Sequence, residues 1–349
     1  MAKKFYVGVD VGGTKIAAGL VTPSGEIIGW EKASTPRAKS AGEVMKVIVR
    51  AVRDVIADAG LKTRRLRGIG IGVPGLVDAK TGKVLVAPNI PIAGYPIAAE
   101  LERRFGVPVA IGNDVNLGVL GESWRGSGRG VEDFVGIFPG TGVGGGVVSG
   151  GRLLLGTHGA AAELGHIVLD PKGPKCGCGA RGCLEAYASR TAMERDIRAG
   201  VKAGEKTDIV ALNGGKLDQI KSKVLARALR HRDPLVTRVL RAAAERLGDG
   251  CVSLRHCFDP ELFILGGGVI EACGDFILPI VKRRLAADPL FRKIGTCRVT
   301  RSRLGDDAVV LGEQNQSARR LRTIADDFQR RLHGQIALPA GEPFAAPFH

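Results

Sequence analysis

Two glycine turns, each set between short apolar runs, restrict the fold of this chain more than any other feature. The first follows Val7-Gly8-Val9-Asp10-Val11 as Gly12-Gly13-Thr14, and the second follows Val135-Gly136-Ile137-Phe138-Pro139 as Gly140-Thr141-Gly142. Gly140-x-Gly142-x-x-Gly145 has the spacing of a dinucleotide fingerprint, but that fingerprint needs a helix directly after its glycines. Here Val147-Val148-Ser149-Gly150-Gly151 and then Leu153–Leu155 follow, and Ile16–Leu20 follows the first turn. Both continuations have hairpin chemistry. No Walker A string occurs, and His231-Arg232-Asp233 lacks the downstream Asn of a protein-kinase loop. The two turns therefore predict strand–turn–strand units whose backbone N–H groups and Thr hydroxyls can meet phosphate oxygens. Asp10 is placed to hold Mg²⁺ through water, and Lys15 to neutralise charge.

The remaining pattern is α/β. Phe5–Val9, Ile16–Val21, Glu26–Trp30, Ile69–Val73 and Val107–Ile111 are expected strands, with helices at Ser40–Ala59 and about Pro96–Phe105. The first helix has a Ser40/Glu43 capping box, an apolar face from Val44 to Ile56, and Gly60 to close it. Phe134–Phe138 restarts the scheme. Helices are expected at Leu184–Ala199, Leu217–His231 and Pro234–Cys257, the last with Asp233 as N-cap. A strand at Glu261–Leu265 ends in Gly266-Gly267-Gly268, and a closing helix is expected at about 308–332. The likeness of the two glycine blocks predicts two related lobes with a cleft between them.

Composition limits the partners. The chain has 349 residues, 44% hydrophobic and 25% charged, which suits a globular protein of two domains. Its 51 Lys+Arg against 35 Asp+Glu give a formal charge of +16, a field that attracts anions. The basic residues are dispersed without an aromatic-interleaved stripe, so no specific nucleic-acid partner is expected. No apolar stretch approaches the ~20 residues of a membrane span, and no signal peptide is visible. Of seven cysteines, Cys176, Cys178 and Cys183 crowd together, while Cys251, Cys257, Cys273 and Cys297 sit singly. That distribution fits a reducing, cytoplasmic setting with one metal site.

Glu163-x-x-His166 followed by Cys176-x-Cys178-x4-Cys183-x-Glu185 is the most specific local motif. Three thiolates and one imidazole suit a closed, structural tetrahedral Zn²⁺ site, with His158 as a weaker candidate ligand. Glu163 and Glu185, flanking the metal, are candidate hydrogen-bond acceptors for sugar hydroxyls. Asn113-Asp114 comes off a strand end, where α/β sheets bind ligands. Asp114 is the candidate general base for a phosphoryl acceptor and Asn113 a candidate sugar ligand. On its own, an Asp there would be read as a helix N-cap.

Together these residues resemble the ROK family (repressors, open reading frames and sugar kinases), in the actin-like/hexokinase superfamily. The resemblance spans roughly 5 to 315. It rests on Asp10-Val11-Gly12-Gly13-Thr14-Lys15, Gly72-Val73-Pro74-Gly75, Asn113-Asp114, the Gly140–Gly146 run, Glu163-Leu164-Gly165-His166, the Cys176–Glu185 segment and Leu265-Gly266-Gly267-Gly268. It implies two actin-like (ribonuclease H-like) lobes: a small one over 1–117, on which the closing helix packs, and a larger one over 118–307 carrying the zinc segment 163–185, with a loose tail at 334–349. It implies ATP- and Mg²⁺-dependent phosphorylation of a sugar, glucose being the commonest case, with Asp114 as catalytic base. Gly75, Asn89, Asn113, Glu163, His166 and Glu185 would lie at the sugar, and His166 would also bind zinc beside Cys176, Cys178 and Cys183. Asp10, Gly12, Gly13, Thr14, Lys15, Thr141 and Gly142 would face the phosphates, and Gly266 and Gly267 the adenosine. Family members suggest a homodimer or homotetramer. Repressor members carry a helix-turn-helix ahead of the Asp-x-Gly-Gly-Thr motif, and only nine residues precede Asp10 here. After Asn89 the chain reads Ile90-Pro91-Ile92-Ala93-Gly94-Tyr95, departing from a Leu-Pro-Gly-Trp-like stretch beside the sugar. The alternatives are a kinase for another hexose or an N-acetylhexosamine, a polyphosphate-dependent glucokinase, and a noncatalytic sugar sensor.

Overall fold

The computed structural model describes residues 4–37, 40–78, 81–87, 90–295, 297–305 and 307–312. The glycine turns are hairpins. β1 (Phe5–Val11) turns into antiparallel β2 (Lys15–Val21), which pairs with β3 (Ile27–Ser34). β4 (Leu66–Val73) then lies parallel to β1 on its other side. A small hairpin, β5 (Leu76–Asp78) and β6 (Lys83–Val86), stands apart, and β7 (Val109–Asn113) completes the first sheet in the order β3-β2-β1-β4-β7. β7 starts after Pro108, which has no N–H for the ladder.

The second sheet repeats this plan. β8 (Phe134–Pro139), β9 (Val143–Ser149) and β10 (Arg152–Leu153) form an antiparallel meander. β11 (Leu262–Leu265) and β12 (Arg298–Arg301) add in parallel, giving β10-β9-β8-β11-β12. The same order twice bears out two mixed-sheet lobes, and it comes from topology rather than from a few matching residues.

Helices α1 (Ala41–Asp58) and α2 (Ile97–Phe105) cover the first sheet. In α1, Val44, Ile48, Val52, Val55 and Ile56 are buried as their spacing predicts. Gly60 takes φ +65° just beyond the helix end. The capping box is not formed: Ser40 holds extended N-cap angles, but its hydroxyl bonds none of the first-turn amides, and this exposed end is left to water.

α3 (Asp114–Arg125) is not apparent in the sequence pattern, because Gly118, Gly121 and buried Asn116 and Glu122 obscure any apolar stripe. It packs between the sheets. Val119 fills the space over Gly136 and Gly146, where a Cβ at either glycine would come within 2.8 Å of its methyl group.

In the second lobe, α4 (Glu185–Ala188) and α5 (Arg190–Lys202) replace the single expected helix from Leu184. Ser189 breaks it with ψ 158° and recaps α5 by accepting from Ala192 N at 3.0 Å. α6 (Ile209–Leu212) and α7 (Ser222–Arg230) follow, so the helix expected from Leu217 starts later. α8 (Pro234–Phe258) has Asp233 as N-cap, accepting from Val236 N at 2.9 Å. α9 (Gly268–Ala286) was hidden by Gly268, Gly274 and Pro279; buried Val269, Ile270, Ile277 and Val281 hold it against the core.

Residues 307–312 are helical and return to the first sheet. Val310 abuts Gly19 of β2, where a Cβ would lie 2.5 Å from a Val310 methyl group. The rest of the expected closing helix, and the tail, lie outside the described residues. Among the described residues, no helix is long and apolar enough to cross a membrane.

Candidate functional site

The cleft between the sheets is assembled from element ends. Asp10 near the end of β1, Asp114 at the start of α3, and Gly267, Gly268 and Glu271 at the start of α9 line one cavity of about 250 Å³. Ser302, just after β12, and Ala308 and Val309 of the returning segment close it. Gly267 takes φ +76°, and a Cβ there would lie 2.7 Å from the Pro139 carbonyl, so the α9 N-terminus fits flush against the β8 turn. The N-terminal amides of a 19-residue helix thus face the cavity, a favourable place for anions. A neighbouring cavity of about 470 Å³ shares Gly268 and Glu271 and is lined by Thr14, Arg190, Gln219, Lys221 and Ser222.

The two glycine turns are held rigidly. Gly12 N donates to Lys15 O at 2.8 Å, and Thr35 Oγ1 donates to Gly12 O at 2.6 Å. This leaves Gly13 and Thr14 exposed at the tip, with Lys15 half-buried behind them. In the second turn, Gly140 N donates to Gly142 O, and Arg190 N donates to Gly140 O, both at 2.8 Å. Arg190 Nη2 also donates to Thr141 Oγ1 at 2.9 Å. Arg190 therefore joins the Thr141 turn to the cavity that holds Thr14. Neither Arg190, Glu271 nor Ser302 was expected. Glu271 could have been found four residues after Gly267, in a first helical turn; nothing local marks the other two.

The N-cap is Asn113 and not Asp114, which is the first residue of α3: Asn113 Oδ1 accepts from Asn116 N and its Nδ2 donates to Gly75 O, both at 3.0 Å. Gly75 needs its φ of +101°, and a Cβ there would lie 2.0 Å from Val86 O. Asp114, half-buried, accepts from Val115 N through Oδ1 at 2.9 Å. Burial raises its pKa above the ordinary carboxylate value, and the charge of Glu163 adds to the rise. Glu163 follows Ala162, a non-glycine residue at φ +63°, a conformation costing about 1–3 kcal/mol that the surrounding packing must hold. Asn89 lies outside the described residues.

The sulfur ligands form a compact knot. Ligand atoms of His166, Cys176, Cys178 and Cys183 all lie within 4.8 Å of one another. Cys178 Sγ is 3.8 Å from Cys183 Sγ, and Cys176 Sγ is 3.7 Å from His166 Nδ1. Tetrahedral zinc with Zn–S of about 2.3 Å sets ligand atoms about 3.8 Å apart, so this donor set fits the ion. His158 is not in the group. Gly182, at φ +68°, lets the knot close on Asp170, whose carbonyl would meet a Cβ at 1.6 Å. Glu185 ties the knot to the cleft: Oε2 accepts from Val143 N at 2.9 Å, and Oε1 lies 3.5 Å from Cys176 Sγ. A Cβ on Gly142, beside it, would meet the Glu185 carboxylate. Gly165 likewise packs on the Val143 carbonyl, so the turn bearing His166 lies against the start of β9.

Two repeated mixed sheets, a cleft that joins three carboxylates to a helix N-terminus, and a Cys₃His knot define a two-lobed α/β protein with its candidate site between the lobes. The chain belongs to the ROK family, whose model matches residues 6–316. It is 36% identical to a glucokinase of Thermotoga maritima over 313 residues, covering 89% of this chain and 96% of that one. A ROK family glucokinase from Streptomyces griseus in complex with glucose and AMPPNP superposes with a TM-score of 0.78 at 36% identity, over 90% of this chain and 99% of that one. A ROK family transcriptional regulator, a homologue of the E. coli MLC protein, superposes with a TM-score of 0.79 at 26% identity, over 90% of this chain and 78% of that one.

Proposed function

We propose that this protein is an ATP-dependent sugar kinase, with glucose as acceptor and glucose 6-phosphate as product. The observation that carries it is the placement of Asp10, Asp114 and the α9 N-terminus on one cavity between two sheets. A sugar hydroxyl beside Asp114 gives up its proton to that carboxylate while its oxygen bonds to the γ-phosphorus, and the bond to the β-phosphate oxygen breaks to release ADP. The raised pKa of Asp114 makes it a better proton acceptor than an ordinary carboxylate. Mg²⁺ arriving with ATP would be held from the Asp10 side and supplies charge neutralisation at the phosphates. Gly12, Gly13, Thr14, Lys15, Thr141 and Gly142 face the phosphates in this reading, with Gly266, Gly267 and the cavity around Lys221 on the nucleoside side. Gly75, Asn89, Asn113, Glu163, His166 and Glu185 shape the sugar side.

Zn²⁺ would be held by His166, Cys176, Cys178 and Cys183, and with all four positions filled by protein its part is structural. It fixes the turn that carries Glu163 and His166. The lobes follow the actin-like, ribonuclease H-like plan, divided at about residue 117. A cytoplasmic homodimer or homotetramer completes the proposal.

The test is sugar phosphate formation with a panel of hexoses and N-acetylhexosamines, with ATP (read also as ADP release) and with polyphosphate as donor. Turnover is expected with ATP and glucose. Absence of turnover with every sugar would sink the kinase reading, and sugar binding without turnover would leave a sensor, a reading that the likeness to a transcriptional regulator keeps in view.

A further inference from the structure

A cavity larger than the cleft lies elsewhere on the second lobe. It is a groove of about 960 Å³ along β12, the edge strand of the second sheet. Its walls come from the loop after α3, the last turns of α9, and β12 with its flanking loops. Lys282, at one edge, lies about 21 Å along α9 from Gly268 in the cleft. Arg129, Arg255, Lys282, Arg292, Arg298 and Arg303 line the groove, and among the described residues no carboxylate does.

The cations have partial local explanations. Lys282 sits near the C-terminus of α9, where positive charge offsets the helix dipole, and Arg298 pairs loosely with Glu261 at 3.6 Å. Neither accounts for Arg129, Arg292 and Arg303, which are exposed and converge from three separate segments. Nor do they account for Arg255. That residue is 5% exposed, its Nη2 donates to Gly295 O at 2.6 Å, and its guanidinium lies over Phe291 at 4.5 Å. Its buried Nε has no hydrogen-bond partner among the described residues. A buried guanidinium with an unmet donor is costly unless a ligand or water meets it. The turn bearing Arg292 is anchored as well: Phe291 packs against both Arg255 and His256, and His256 Nε2 is 2.7 Å from buried Asp288 Oδ2.

We propose that this groove is a second anion site, for a small ligand carrying several phosphate groups in a row. Guanidinium forks match phosphate oxygens, and the spread of cations over so large a groove exceeds what one orthophosphate can use. Among the described residues no aromatic side chain lines it, which disfavours stacked bases and hence single-stranded nucleic acid. The proposal does not rest on the kinase reading.

The probe is sodium tripolyphosphate, titrated calorimetrically into the full chain at physiological salt, with Mg-AMPPNP present to occupy the cleft. One saturable site per chain is expected. Arg129→Glu with Arg292→Glu should weaken it at least about tenfold. Arg53→Glu with Arg67→Glu, an equal charge change on exposed residues of the first lobe, should change it less than about twofold. ATP supplies the same triphosphate with a base attached and should bind the groove no more tightly than tripolyphosphate. The proposal is overturned by absence of saturable binding, by equal weakening in both double variants (a general field effect), or by full displacement by ATP with both variants unaffected (the cleft). An RNA oligonucleotide binding more tightly at equal phosphate, through the same two arginines, also overturns it. Thermal unfolding checks each variant. If the double reversal does not fold, Arg129→Gln and Arg292→Gln singly should each weaken tripolyphosphate binding.

Discussion

Asp114 carries two opposed demands. Burial and the neighbouring Glu163 hold its pKa up, so the ionised form needed in the reaction is the form that the fold disfavours. A group whose folded pKa is raised contributes stability below its unfolded pKa and loses it as pH rises through the folded value. At neutral pH Asp114 therefore weighs against stability, and Asp114→Asn should raise the thermal midpoint while lowering kcat by about 10²–10⁴-fold, with sugar binding retained. Differential scanning fluorimetry, ADP release and a sugar titration check the three parts. Activity should fall on the acid side as Asp114 is protonated, with a limb above that of an ordinary aspartate. Glu163→Gln should shift that limb to lower pH in a kcat–pH profile; an unmoved limb would detach Glu163 from the titration. The motif residues of this site were legible because each is a distinctive residue type at a fixed spacing. Arg190 and Ser302 were not, because they reach the site from chain segments with no local mark.

At the scale of elements, glycines set how closely α3 and the knot can pack. A Cβ on Gly121 would lie 2.0 Å from the Ala308 carbonyl, so Gly121→Ala should push the 307–312 segment off α3 and destabilise the fold by about 2–4 kcal/mol in urea unfolding. That segment also meets the cleft through Ala308 and Val309, so kcat should fall with it. The knot makes a separate prediction. Cys178→Ser removes one of four ligands, and zinc per chain, measured by atomic emission, should fall well below one. The sugar KM should rise more than the ATP KM, since Glu163 and His166 sit on the loosened turn. Helix α3 was invisible to periodicity for a physical reason: wedged between two sheets, it buries residues around its circumference instead of along one stripe.

For the whole molecule, the repeated sheet order places one cleft between two separate cores, with α3 and the returning segment between them. Buried Glu122 of α3 holds this junction together: its carboxylate accepts from Ser302 Oγ and Ser127 N, both at 2.6 Å, and from Leu304 N at 3.1 Å. Lobes joined this way can close on a ligand by hinge motion. Small-angle scattering should show a smaller radius of gyration with glucose and AMPPNP than without; an unchanged radius would count against closure.

The strand–glycine–strand blocks, the ligand spacing of the sulfur knot and the Asn-Asp pair are local chemistry, so the sequence by itself determined the hairpins, the donor set and the candidate base. Periodicity could not assign α3 or α9, whose glycines and proline are tolerated only because burial on neighbouring elements outweighs propensity. Tertiary structure alone decided that the two glycine turns belong to sheets of identical order, that Arg190 and Ser302 join the site, and that scattered arginines converge on a second groove. Contacts between residues far apart in the chain exist only once both lobes have packed.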